Sequence, residues 1–214
     1  MPLALSQRQI DLLLRYVAEL QKWNAAYNLT AVRNPTEMVT RHLLDSLSLL
    51  PLLVPESRVP GPESRLLDVG SGAGLPAIPL ALADPGLQVT ALESNGKKAR
   101  FLRHVQRTLK LPNLEVVESR AEAFQPAAPF DIIVSRAFAS LADFFKLTGH
   151  LLAPGGQWVA MKGKLDPQEL AGVPAGVEIR ESRRLNVPGL REERHAIIAA
   201  VRESYGPCDR CVAP

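Results

Sequence analysis

Apolar positions follow two regimes along the chain. Ile10, Leu13, Leu14, Val17, Leu20 and Trp23 recur at helical spacing, and Ser6 with Gln9 forms a capping-box pair ahead of them. The spacing predicts an amphipathic helix over residues 7 to about 26. Asn34, Pro35 and Glu37 announce a second helix, with the Asn as cap and the Pro at the first helical position. The first 55 or so residues therefore read as all-helical. Past the Pro/Gly-rich link PESRVPGPES the regime changes to short apolar runs separated by helical stretches. Arg65 to Val69, Gln88 to Leu92, Leu114 to Val117 and Asp131 to Val134 read as strands. Pro154, Gly155 and Gly156 turn into a further strand, Gln157 to Met161, and Ala196 to Val201 reads as the last. Strands alternating with helices imply a parallel sheet covered on both faces.

Length sets the scale of the fold. The 214 residues suffice for one α/β domain and a short appended element, and so for one active site. The reading divides the chain into a helical extension over 1–63, a catalytic domain over 64–202 and a disordered tail over 203–214. Hydrophobic residues at 46% and charged residues at 22% are ordinary for a globular protein. The apolar stretch from Leu47 to Val54 is interrupted by Ser48 and Pro51 and is far shorter than the roughly 20 residues a membrane span needs. Gln7, Arg8, Gln9 and Asp11 break any secretory-signal pattern at the N-terminus, so a cytosolic location is expected. The two cysteines, Cys208 and Cys211, lie in the tail and lack the second pair that a structural zinc site requires. No metal is expected. The net charge of +3 arises wholly between residues 64 and 163, a modest field suited to an anionic partner.

The segment LLDVGSGAGLPAIPLALA, residues 66 to 83, carries the most chemistry. A strand ends in Asp68, and Gly70, Gly72 and Gly74 crowd the turn before a helix, which lets backbone approach a ligand closely. Dinucleotide-binding sheets use such glycines too, but they need a small third residue where this chain has Leu75. Asp68 also suits a cationic ligand better than a diphosphate, and S-adenosylmethionine carries an ammonium and a sulfonium. Glu93, at the end of the second strand, is placed to accept hydrogen bonds from ribose hydroxyls of either cofactor. After the third strand, SRAEAF offers Ala121 and Glu122 to an adenine; it reads equally well as a helix start capped by Ser119.

The fourth strand ends at Ser135 and Arg136, where the chain faces both methyl group and acceptor in this architecture. The Asn or Asp with two prolines and an aromatic that exocyclic-amine methylation uses is absent, and cytosine-C5 chemistry would need a cysteine near the site. An arginine there fits an acceptor that already has a free lone pair, as N7 of guanine does. Its partner is then O6, a phosphate or the cofactor carboxylate. The helix after Glu93 sets Lys97, Arg100, Arg103, His104, Arg107 and Lys110 along one side, opposite Phe101, Leu102, Val105 and Leu109. With no acidic residue interspersed, that side is a candidate for phosphate contacts as well as an ordinary solvated face. Lys162, Lys164 and Arg194 are weaker candidates. His42 and His195 have no metal-ligand companions and read as hydrogen-bonding residues.

The strings WNAAYNLTAVRNPTEMVTRHLLDSL, LLDVGSGAGLPAIPLAL, SNGKKARFLRHVQ, FDIIVSRAFASL, MKGK and the late VPG with ERH resemble the bacterial 16S rRNA guanine-N7 methyltransferases of the glucose-inhibited division protein B family. The resemblance runs from about Trp23 to Ile198. It implies a class I, Rossmann-like S-adenosylmethionine-dependent methyltransferase: a mostly parallel seven-stranded sheet with helices on both faces and an N-terminal helical extension. It further implies methylation of a guanine at N7 in the decoding region of 16S rRNA, guanine 527 in the 530 loop. Gly70, Leu75, Glu93, Ala121, Glu122 and Arg136 are then expected to meet S-adenosyl-L-methionine, and Asn28, Arg33, Arg41 and His42 to shape the substrate side. The expected partner is 16S rRNA or the small ribosomal subunit, with no membrane, and the expected state a monomer. Two other classes remain open at this point: a nicotinamide-dependent oxidoreductase, and a non-catalytic RNA-binding protein that keeps a cofactor pocket. A small-molecule methyltransferase would leave the basic helix without a purpose.

Overall fold

A computed structural model describes residues 4–53, 64–136, 138 and 140–202. Cys208 and Cys211, with the rest of the tail, lie outside the described residues. α1 spans Gln7–Tyr27 and opens with the expected capping box, the Ser6 side chain accepting from the Gln9 amide while the Gln9 side chain accepts from Ser6. α2, Pro35–Met38, begins at the Asn34 cap. The helix continues without a break through a π-helical stretch, Val39–Leu44, into α3, Asp45–Leu47. The widened turn carries Arg41 and His42, and such turns recur at functional sites.

Among the described residues the sheet has seven strands in the order β3-β2-β1-β4-β5-β7-β6. They are β1 Arg65–Val69, β2 Gln88–Glu93, β3 Leu114–Glu118, β4 Phe130–Ser135, β5 Leu152–Lys162, β6 Val177–Arg184 and β7 His195–Val201. β1 to β5 pair in parallel, and β7 runs antiparallel to both β5 and β6. The intervening helices are α4 Ala77–Ala83, α5 Gly96–Leu109, α6 Leu141–Thr148 and α7 Pro167–Ala171. β6 is a strand that the apolar runs do not announce. It pairs along one side only, a bulge between Ile179 and Glu181 breaks its alternation, and most of its outward residues are charged.

Neighbouring residues of β1 show why the strands read as unbroken apolar runs. Leu66 packs into one apolar cluster with Ile78 of α4, Phe101 and Val105 of α5 and Leu13, Val17 and Leu20 of α1. Leu67, pointing the other way, joins Phe144 and Phe145 of α6 and Trp158. Both faces are covered, so neither can afford polar alternation. The N-terminal helices thus share the core of the sheet rather than forming a core of their own. Among the described residues no helix is long and apolar enough to cross a membrane.

Candidate cofactor and substrate cavities

β1 lies between β2 and β4, the point from which the chain departs in opposite directions, and ligands of open α/β sheets bind beyond the strand ends at that point. Two cavities open there. The first, about 290 Å³, is lined by Gly70, Ser94, Ser119, Ala121, Glu122 and Phe138 among others. The second, about 340 Å³, is lined by Arg41, His42, Asp45, Arg136, Lys162 and Arg194 with Val32, Met161 and Gly163.

The glycine loop is held by backbone bonds: the amides of Gly70 and Ser71 both donate to the Leu92 carbonyl, at 2.9 and 3.1 Å. Gly70 and Gly72 have φ of +73° and +58°, a region that side chains rarely enter. Gly74, with φ of +89°, serves packing as well, since a Cβ there would lie 2.3 Å from Ile78 Cδ1. Glu93 is 6% exposed; Oε2 accepts from the Gly72 amide and Oε1 from the Asn95 amide, each at 2.8 Å. Each oxygen keeps a lone pair for a further donor, which fits the two hydroxyls of a ribose.

Asp68 lies elsewhere than its position in the motif implies. It is fully buried behind the loop, where Oδ2 accepts from the Ala77 amide at 3.1 Å and Oδ1 has no partner among the described residues. Burial pushes its pKa up to about 7, against hydrogen bonds from Ser71 and Ala77 and the Arg136 charge. Leu75 is likewise a core residue, 3% exposed. Ala121 and Glu122 line the first cavity from a single 3₁₀ turn, Ala121–Ala123, which Ser119 does not cap.

In the second cavity Arg136 donates to the Arg41 carbonyl at 3.3 Å and lies 3.6 Å from Asp45 Oδ2, while Arg194 Nε bonds Asp45 Oδ1 at 3.2 Å. Asp45 is 1% exposed; burial raises its pKa and both arginines oppose the rise. His42 hydrogen-bonds Thr30, and burial takes its pKa down to about 4, helped by the Arg136 and Arg41 charges and opposed by a backbone contact with Arg41. Arg41 pairs with Glu192 and Glu37. Lys162 is tied to Glu169 at 2.6 Å, which also accepts from the Leu141 amide.

Not all of the basic row on α5 is free. Arg103 pairs with Glu118 at 2.9 Å, and His104 with Glu19 of α1 at 2.7 Å while packing on Trp23. The acidic partners come from β3 and α1, so the sequence of the helix alone could not show them. Arg100 and Arg107 are exposed and make no ion pair with the described residues. Arg33 is exposed and donates to Asn28 at 3.1 Å. Among the described residues no group of three or more potential metal ligands is present. Two residues escape the sequence reading: Asp45, an isolated carboxylate in an apolar run, and Tyr16, whose buried hydroxyl donates to the Ala73 carbonyl of the glycine loop at 2.7 Å. Neither has a local signal.

Comparison with known proteins places the chain in context. Residues 9–198 match the family described as rRNA small subunit methyltransferase G. A protein of that name from Stenotrophomonas maltophilia is 54% identical over 185 residues, covering 86% of this chain and 84% of that one. One from Chromobacterium violaceum is 52% identical over 195 residues, covering 91% and 90%. The fold is shared with the glycopeptide N-methyltransferase MtfA complexed with S-adenosyl-L-methionine, at a TM-score of 0.61 and 13% identity over 75% of this chain and 95% of that one. It is shared also with the N-methyltransferase NodS from Bradyrhizobium japonicum, at a TM-score of 0.55 and 18% identity over 74% and 94%.

Proposed function

Since the chain belongs to the rRNA small subunit methyltransferase G family and is an S-adenosylmethionine-dependent rRNA methyltransferase, we propose that its acceptor is N7 of one guanine in 16S rRNA. The observation that carries this reading is the pair of adjoining cavities at the ends of the parallel strands. Gly70 and Phe138 line one, and Arg136, two residues before Phe138, lines the other.

The residues of the first cavity fit S-adenosylmethionine. Ala121 and Glu122 line that cavity and offer backbone groups to the adenine, and Glu93, buried between the lining residues Leu92 and Ser94, offers the ribose its two spare lone pairs. Gly70 and Gly72 bring backbone close without a side chain in the way, and Leu75 and Gly74 support the loop from the core. Bound there, the cofactor would supply a methyl group on a sulfonium, whose carbon a lone pair can attack as the C–S bond breaks and its electron pair leaves on the sulfur of S-adenosylhomocysteine, without any proton being removed first. Guanine N7 has such a lone pair, so the protein's task is alignment and exclusion of water rather than base catalysis. Arg136 faces the second cavity as the residue between cofactor and acceptor. With Asp45 holding it from behind, its guanidinium orients a phosphate, O6 or the cofactor carboxylate. Arg41, His42 and Lys162 complete the acceptor wall, and Arg33, Arg100 and Arg107 offer charge to the RNA backbone outside it. In this reading the enzyme works as a cytoplasmic monomer.

The test is to incubate the protein with labelled S-adenosylmethionine and small subunits that lack N7-methylguanine, then analyse nucleosides. Label in N7-methylguanosine, absent when fully methylated subunits are used, is the expected result. Label in any other nucleoside removes N7 as the acceptor.

A further inference from the structure

One buried polar atom of a residue in the wall of the second cavity lacks a hydrogen bond of good geometry. His42 is 4% exposed; its Nε2 lies 2.9 Å from Thr30 Oγ1, the ring has a backbone contact with Arg41, and its Nδ1 has no hydrogen-bond partner among the described residues. The backbone oxygen beside it, that of Arg41, already accepts from Arg136. Which nitrogen carries the hydrogen follows from Thr30. Its oxygen accepts from the Val32 amide at 3.2 Å and keeps its own hydrogen to donate to Nε2, and on that pairing we assign the ring hydrogen to Nδ1. A neutral imidazole then holds its hydrogen on Nδ1. Burial keeps the ring neutral, with its pKa down at about 4. The result is an N–H donor on a residue that lines the same cavity as Arg136, Arg194 and Lys162, and a buried donor without an acceptor is costly.

That donor has a chemical use on a purine. The edge beside N7 presents an acceptor at C6 in guanine, the O6 oxygen, and a donor in adenine, the N6 amine. Both bases offer the N7 lone pair, so on this edge only the group at C6 tells them apart. Resting on the reading that the substrate is a guanine attacked at N7, we propose that His42 selects guanine, its Nδ1–H donating to O6 while N7 is left free to react. The fold holds the ring for this purpose. His42 sits in the π-helical turn three residues before Asp45, and the buried carboxylate of Asp45 is clamped by Arg136 and Arg194 at 3.6 and 3.2 Å. With guanine the orphaned donor gains its partner; a base lacking O6 leaves it as unpaired as in the free protein and forgoes that gain in binding and reaction alike.

The test compares small subunits reconstituted with 16S rRNA carrying either guanine or 2-aminopurine at the methylated position; the latter keeps N7 and the 2-amino group but lacks O6. The wild-type protein is expected to prefer guanine in kcat/KM by roughly ten- to hundredfold. His42→Ala should erase the preference by slowing guanine about tenfold or more beyond 2-aminopurine. His42→Asn, whose amide N–H occupies the place of Nδ1–H, should keep most of it, and His42→Gln, whose amide reaches the place of Nε2, should lose it. If His42→Ala does not fold, the Asn and Gln pair decides, with S-adenosylmethionine affinity reporting that each is intact. Equal slowing on both bases would make His42 structural only and overturn the inference, as would a preference that survives His42→Gln. Either result, obtained with N7-methylguanosine still formed by the wild type, leaves the acceptor assignment standing. A different methylated nucleoside in the wild-type reaction would remove both.

Discussion

Replacing Glu93 by Gln separates a cofactor contact from a loop strut. The carboxylate accepts the Gly72 and Asn95 amides with a different oxygen for each, both at 2.8 Å, and is almost wholly buried. A carboxamide has one oxygen, so one of the two amides must face an NH₂ group, and a buried donor left unpaired costs about 1–3 kcal/mol. For a chain of this size each kcal/mol lowers the melting temperature by about 2–4 °C, so a fall of roughly 2–12 °C is expected. The lone pairs that remain for the ribose are halved as well, and each charge-assisted bond to a hydroxyl is worth about 1.5–3 kcal/mol. The dissociation constant for S-adenosylmethionine should therefore rise by roughly ten- to hundredfold. Calorimetric titration with the cofactor, paired with thermal unfolding of the ligand-free protein, reads both effects. A lower melting temperature with affinity within about twofold of wild type would show that Glu93 only supports the loop, and would refute the ribose assignment.

Tyr16→Phe leaves the buried Ala73 carbonyl without its 2.7 Å donor; a loss of about 1 kcal/mol in stability and a severalfold weaker hold on the cofactor are expected, whereas unchanged affinity would confine α1 to packing. Asp68 has a folded pKa near 7, above its unfolded value, so the stability it contributes is complete below the unfolded pKa and is lost as pH rises through about 7. Asp68→Asn should therefore gain stability on the wild type as pH rises from about 4 to about 7, by at most about 1.4 kcal/mol per pH unit, and gain little more above that. His42 acts in the opposite sense, losing stability as pH falls from its ordinary range through about 4, but it does so in both proteins and cancels in the difference. Parallel curves in chemical denaturation at several pH values would contradict the burial argument. Neutralising Arg100, Arg103 and Arg107 together should reduce the salt dependence of RNA binding by about two phosphate contacts rather than three, a slope change of roughly 1.4–1.8, because Arg103 is already paired with Glu118. An unchanged slope would return that helix face to solvent.

How much of this was legible in the sequence depended on whether a residue's partners are local. Ser6 with Gln9, Asn34 before Pro35, and the glycine turn after β1 carry their own signals within a few residues, and the structure forms the element each announces. β6 carries little, because an edge strand with a bulge and a charged outer row resembles a loop. The site divides in the same way. Gly70, Ala121, Glu122 and Arg136 line the cavities, as their places after the first, third and fourth strands require. Asp68 and Leu75 sit in the same motif yet point into the core, since alternation along one strand and turn decides which of them meets solvent. Arg103 and Lys162 read as free cations but are paired through Glu118 and Glu169. Asp45 needed the fold most of all: its partners Arg136 and Arg194 are brought to it from the ends of β4 and β7.

The central claim is that one guanine of 16S rRNA is methylated at N7. The most direct measurement is borohydride and aniline cleavage, which cuts RNA at N7-methylguanine, applied to 16S rRNA from unmethylated small subunits before and after reaction with the protein and S-adenosylmethionine. A single new cleavage site, appearing in step with incorporated methyl and absent when Glu93→Gln is used at low cofactor concentration, is the predicted result. Methyl incorporation without any new cleavage would contradict the account.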